Sequence, residues 1–185
     1  MAETPDTRSD EELMAAYIDG DAAAFRILFE RHAAVLYRLA RRRLSSDDDA
    51  RDVVQQTLLQ MHRARNDFRR GAKLRPWLFT IAMNLVREHY RKQRRRREQS
   101  IENSPEVREP VLESEDSDEA RERSARVRAA LACLPDNQRE VIELHWFENS
   151  PYEEIAQIVG ASVAAVRVRA HRGYERLREI LPEVE

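Results

Sequence analysis

The chain has 185 residues, 42% of them hydrophobic, with four glycines, one cysteine and a formal net charge of −2 at pH 7. This length leaves one domain or two small ones open, and a lone Cys133 excludes an internal disulfide and a thiolate-rich zinc site. No apolar run approaches the roughly 20 residues a membrane-crossing helix needs, and the acidic start MAETPDTRSDEEL is unlike a signal peptide, so a cytoplasmic protein without membrane insertion is expected.

Ala, Leu, Arg and Glu dominate, side chains that lose little rotamer freedom in a helix, which predicts an all-α protein. The near-neutral total conceals segregation. Residues 1–97 carry 21 Lys+Arg against 14 Asp+Glu, residues 98–119 carry 1 against 9, and residues 120–185 carry 10 against 11. A basic part, an acidic segment and a mixed part suggest three functional units.

In chain order, Ser9 with Glu12 makes a capping-box start for a short helix ending near Gly20. Asp21 caps a second helix, with Phe25, Leu28, Phe29, Ala33, Leu36 and Leu39 at helical spacing, which should stop near Ser45. Ser46 and the carboxylates Asp47, Asp48 and Asp49 suit the start of a third, whose apolar stripe is Val54, Leu58 and Met61. The basic loop NDFRRGAKLR follows. Pro76 fits the first turn of a fourth helix with an inward stripe of Trp77, Leu78, Ile81, Leu85 and Tyr90. From Gln99 to about Glu119 the apolar period vanishes and Pro105 and Pro110 interrupt an acidic stretch, so a flexible linker is expected. Beyond it ARVRAALACL reads as a helix ended by Pro135. Asp136 should cap the next, Ser150 with Pro151 and Glu153 should cap YEEIAQIV, and Ser162 should cap the last.

Two helices joined by a short glycine-containing turn, IAQIV-GAS-VAAV, form the arrangement that sets a second helix into the DNA major groove. At 100° per residue Val163, Val166, Ala170, Tyr174, Leu177 and Leu181 share one stripe of that helix, while Ala164, Ala165, Val168, Arg169, Arg172 and Arg176 share the other. A small-apolar and arginine face suits guanine edges, phosphates and thymine methyls; the competing account is the solvated face of a helical hairpin.

With AFRILFERHAAVLYRLARRRL, DVVQQTLLQMHRA, DFRRGAKLRPWLFTIAMNLVREHYRKQRRR and LPDNQREVIELHWFENSPYEEIAQIVGASVAAVRVRAHRGYERLR in view, the chain resembles a sigma factor of the extracytoplasmic-function group. The resemblance covers roughly residues 10–97 and 120–181. It implies two small helical domains, sigma domain 2 at 9–97 and sigma domain 4 at 120–182, joined by the acidic linker 98–119. It implies binding to core RNA polymerase, through the β′ clamp helices and the β flap, and to promoter DNA, with regulation by an anti-sigma factor. No catalytic residue, metal or cofactor follows from it, since polymerase performs the chemistry.

Residue by residue, the resemblance places Asp52, Gln55 and Gln56 against the clamp helices, although most relatives carry Glu where Gln56 stands. Phe68, Lys73, Arg75, Thr80, Asn84 and Arg87 fall on the part that opens the −10 element. A basic loop bearing an aromatic suits the holding of an unstacked base. Asn84 also falls on the Trp77–Ile81 stripe, so a buried structural hydrogen bond competes with base recognition there. Arg167, Val168, His171 and Arg172, with Arg169 from the outward face, are the −35 candidates. Relatives commonly have Gly-Thr at Ala164 and Ala165 and a small polar residue at Val168, which leaves the preferred promoter sequence open. The runner-up reading is a stand-alone helix-turn-helix regulator.

Overall fold

The computed structural model describes residues 6–99 and 118–181, of which 97–99 and 118–121 by their backbone alone. The described chain is helical with no strand: α1 (Asp10–Ile18), α2 (Ala22–Arg41), α3 (Asp47–Arg63), a 3-10 turn (Arg65–Asp67), α4 (Leu74–Gln99), α5 (Asp118–Ala132), α6 (Asp136–Trp146), α7 (Tyr152–Val159) and α8 (Val163–Ile180). It divides into two compact units, Met1–Glu109 and Pro110–Glu185. Most of the stretch read as a linker, residues 100–117, lies outside the described residues, and α5 begins at Asp118, earlier than the apolar pattern indicated.

Local chemistry sets four helix starts. Ser9 and Glu12 form a reciprocal capping box on α1; the Asp21 carboxylate accepts from the amides of Ala23 and Ala24; Ser46 accepts from Asp49 and Ser162 from Ala165. Two expected caps are absent. Asp136 is already helical, and Pro135 takes the cap position without a side-chain bond. Pro151 likewise caps α7 by backbone alone, its carbonyl accepting from Glu154 and Ile155. Ser150 is instead fully buried, its amide donating to the Leu144 carbonyl and its own carbonyl accepting from His145 Nδ1 at 3.1 Å. A serine drawn into the core of the turn cannot also sit at the helix end.

In the first unit α1 packs on α2 and α4, and α3 lies between α2 and α4. Leu13, Met14, Leu28, Leu36, Leu39, Met61, Leu74, Leu78, Phe79 and Met83 are essentially inaccessible. Burying each is worth about 1.5–3 kcal/mol, so the bundle is held mainly by these contacts. The buried face of α4 is Leu74, Leu78, Phe79, Ala82, Met83 and Val86, whereas Trp77, Ile81, Leu85 and Tyr90 are only partly covered. The expected stripe is therefore turned by about one residue from the buried one. Three helices contact α4, so apolar residues occupy much of its circumference and periodicity alone does not choose the axis.

In the second unit Leu131, Leu134 and Ile142 form a core cluster with Val127, Tyr174 and Leu177, and Val141, Leu144, Ile155, Ile158, Val166 and Ala170 are also buried. Gly173 is buried where α8 meets α6, and a Cβ there would lie 2.5 Å from Ile142 Cδ1. A side chain at this position would have to displace the end of the Ile142 side chain.

Candidate nucleic-acid and polymerase interfaces

On α3, Asp52, Gln55 and Gln56 are all exposed, and their spacing puts them on one side of the helix. Beside them α2 and α3 leave an apolar groove of about 650 Å³, lined by Phe25, Phe29, Val54, Leu58 and Leu59, with Gln55 on its edge. Phe29 remains 45% exposed. The apolar stripe expected on α2 spans two faces of the helix. Leu28, Leu36 and Leu39 are core together with Ala24 and His32, whereas Phe25, Phe29 and Ala33 point toward the groove. The signal was present: the apolar arc of α2 is wider than one core contact requires. One end of the groove is fixed by Asp47, which accepts from the Tyr37 hydroxyl and pairs with Arg51 at 2.8 Å and Arg41 at 3.3 Å. The Tyr37 hydrogen bond, then the two guanidiniums, hold the Asp47 carboxyl below its ordinary range. The first of the three consecutive aspartates is thus engaged in a tie between α2 and α3.

The −10 candidates do not all come together. Phe68 is buried, 7% exposed, with its ring 5.0 Å from the Trp77 ring. It anchors the loop and offers no free face to a base, which corrects the expectation of an exposed stacking aromatic. Lys73 is exposed. Arg75 turns its guanidinium over the Phe79 ring at 4.8 Å. The Thr80 hydroxyl donates to the Pro76 carbonyl at 2.7 Å, and Arg87 Nη1 donates to Asn84 Oδ1 at 2.9 Å. Asn84 is exposed, so the buried structural role considered for it does not hold. Thr80, Asn84, Arg87 and Arg91 fall within about one third of the helix circumference, a row that continues into the exposed Arg94 and Arg95. Trp77 opens this row, half-covered by Phe68.

In the second unit the Gly160 backbone adopts a left-handed conformation, φ 64° and ψ 43°, to end α7, and Ser162 starts α8 two residues later. Val166, Ala170 and Gly173 face inward. Arg167, Val168, His171 and Arg172 are exposed on the opposite side, Val168 at 48%, while Arg169 sits half-covered at the edge of this surface. Arg167 reaches Glu153 of α7 at 3.6 Å and His171 reaches Glu175 at 3.4 Å. Both pairs are exposed and worth little, so a phosphate can compete with Glu153 for the Arg167 guanidinium. An aromatic pair at the end of α6 carries no periodic signal that sets it apart in the sequence. Trp146 is 67% exposed and donates through Nε1 to the Tyr174 hydroxyl at 2.8 Å, and Phe147 beside it is also exposed.

Both units of the chain are similar to known proteins. The Sigma-70 region 2 family matches residues 28–96 and the Sigma-70 region 4 family matches residues 124–177. The chain is 35% identical over 172 residues to the RNA polymerase sigma factor CarQ of Myxococcus xanthus, covering 93% of this chain and 97% of the relative. It is 31% identical over 180 residues to the ECF RNA polymerase sigma factor SigM of Mycobacterium tuberculosis, covering 94% and 85%. Among solved structures it is similar to CnrH in complex with the cytosolic domain of CnrY, at 30% identity and a TM-score of 0.72 over 95% of this chain and 99% of that one. It is also similar to the sigma factor RpoE of Bartonella quintana in complex with the anti-sigma factor NepR, at 28% identity and a TM-score of 0.68 over 87% and 98%. A stand-alone helix-turn-helix regulator would leave the region 2 match unexplained. With both regions present in order and relatives matched along nearly their whole length, the chain belongs to the extracytoplasmic-function (ECF) group of RNA polymerase sigma factors.

Proposed function

We propose a division of labour for this alternative sigma factor, which binds core RNA polymerase and directs transcription initiation. Residues 9–97 form the unit that docks on polymerase and opens the −10 element; residues 120–182 form the unit that anchors the −35 element. Asp52, Gln55 and Gln56 meet the β′ clamp helices, with the apolar groove of α2 and α3 receiving their nonpolar side chains. Lys73, Thr80, Asn84 and Arg87 hold the opened strand, while Phe68 and Arg75 support the loop through Trp77 and Phe79. Arg167, Val168, His171 and Arg172 enter the major groove, with Arg169 toward the flanking phosphates. Trp146 and Phe147 offer the β flap an exposed apolar contact. An anti-sigma factor, of the kind bound to the Bartonella quintana relative, regulates the chain by covering the α2–α3 groove.

The observation that carries this reading is the row Thr80–Asn84–Arg87–Arg91, exposed at Asn84 and Arg91 and half-covered at Thr80 and Arg87, which leads from the basic loop into the arginine run at the end of α4. Neutralising several phosphates along such a row gives affinity that falls steeply with salt. Reconstitution with core polymerase on a randomised promoter library tests it. Enrichment of sequences with paired −35 and −10 elements is expected; if the holoenzyme selects no promoter, with folded protein bound to core, the assignment fails.

A further inference from the structure

α1 lies outside the segment matched by region 2, yet it makes the contacts that fix the loop before α4. The first turn of α4 contains no acidic residue, and the preceding residue is Lys73, whose ammonium can only donate. The opening amides of the helix therefore have no local cap. Glu11, 63 residues earlier, supplies one: its Oε1 accepts from the Leu74 amide at 3.2 Å. Its carboxylate also complements the positive end of the helix. At the other end of α1, Asp19 holds the loop residue Arg70, with Arg70 Nη1 donating to Asp19 Oδ2 at 3.1 Å and Nη2 to the other oxygen. Between these points the Arg65 guanidinium lies 6.0 Å from the centre of the Tyr17 ring, and the Tyr17 hydroxyl meets His62 Nδ1.

α1 is itself firmly seated. Leu13 and Met14 are fully buried, and Asp10 accepts from Arg31 and His32 of α2, each at 2.8 Å. α1 therefore ties the loop down at Arg70 and at Leu74, beside the Phe68–Trp77 contact. Phe68 and Leu74 are buried at its two ends, while Arg69 and Lys73 stand exposed between them. We infer that α1 is a brace that presets the promoter-opening loop, with Glu11 as a remote N-cap of α4 and Asp19 as the anchor of Arg70. The inference rests on the assignment of Lys73 and the α4 row to the −10 element. A loop ordered before DNA arrives loses less conformational freedom when it captures an unstacked base, so the brace acts on opening and not on recruitment.

The test uses full-length protein with core polymerase on a promoter selected from a randomised library. It follows opening by 2-aminopurine fluorescence at the −10 element, beside core affinity and thermal stability. Glu11→Ala should slow opening roughly three- to tenfold, the effect of losing one carboxylate at a helix N-terminus, with core affinity unchanged. Glu11→Gln, which keeps an acceptor for the Leu74 amide, should recover the rate to within about twofold. Asp19→Arg and Arg70→Asp should each slow opening and the double swap restore it. On a promoter already mismatched across the −10 element all variants should match wild type. Lys73→Ala separates the two assignments. If it slows opening while Glu11→Ala and Asp19→Arg do not, the brace is refuted and the −10 surface stands. If none of the three slows opening, the −10 surface and the brace fall together. Loss of thermal stability and core affinity in parallel with opening, without recovery by Glu11→Gln, would also refute the brace.

Discussion

Replacing Asp10 by Asn removes the charge at the junction of α1 with α2 while keeping its volume. Asp10 accepts from Arg31 Nη1 and from His32 Nε2, each at 2.8 Å, and occupies the first turn of α1, where a negative charge is favoured. The His32 hydrogen bond, then that of Arg31, draws its carboxyl from 3.8 to about 2. At 1.36 kcal/mol per pKa unit the difference corresponds to about 2.5 kcal/mol as an upper bound. The side chain is 26% exposed, and solvent screening lowers the figure to about 1–1.5 kcal/mol. Because the folded value lies below the ordinary one, this contribution is complete above about pH 4 and is lost as the pH falls toward 2. The two tryptophans fall one in each unit, so a Trp146→Phe background leaves Trp77 as reporter of the first unit. Urea unfolding followed by Trp77 should place Asp10→Asn about 1–1.5 kcal/mol below its parent at pH 7, with the two converging near pH 2. Equal midpoints at pH 7, or a gap undiminished at pH 2, would refute the tie between Asp10, Arg31 and His32 as a stabilising one.

Three further outcomes follow from packing and exposure. Gly173→Ala should destabilise the second unit by about 1 kcal/mol despite the better helix propensity of Ala, because the new Cβ meets Ile142 Cδ1 at 2.5 Å. In an Ile142→Val background, which lacks that atom, the same change should become neutral or stabilising; thermal melts of the four proteins measure the coupling. Phe68→Leu should retain most promoter opening and cost about 1 kcal/mol in stability, since the ring is buried against Trp77; loss of opening in a stable protein would restore a base-stacking role. Phe29→Asp changes a side chain that is 45% exposed in the α2–α3 groove, so the melting temperature should move little while core affinity, by fluorescence anisotropy, falls on the order of tenfold or more.

Much of this protein is written locally. Ser9 with Glu12, Asp21, Ser46, Gly160 and Ser162 mark helix ends through bonds to amides two or three residues away or through a backbone conformation glycine adopts freely, so short sequence windows contain the cause. The exposed face of α8 follows from the same helical period, which is why Val168, Arg172 and Arg176 stand where the pattern placed them, whereas Asp52, Gln55, Gln56 and Arg167 were legible only through the family resemblance. Tertiary contacts decided the rest. The period of α4 fits several axes, and only packing by α1, α2 and α3 selects Leu78, Phe79 and Met83 over Ile81 and Leu85 and leaves Asn84 outside. Ser150 and Phe68 look like surface residues in a polar stretch, but each is taken inward by neighbours distant in sequence or in the turn itself. The cap that Glu11 provides to Leu74, the Asp19–Arg70 pair and the closeness of Gly173 to Ile142 join residues 31–63 positions apart. Local propensity carries no trace of such pairs, because their energy exists only once the helices have met.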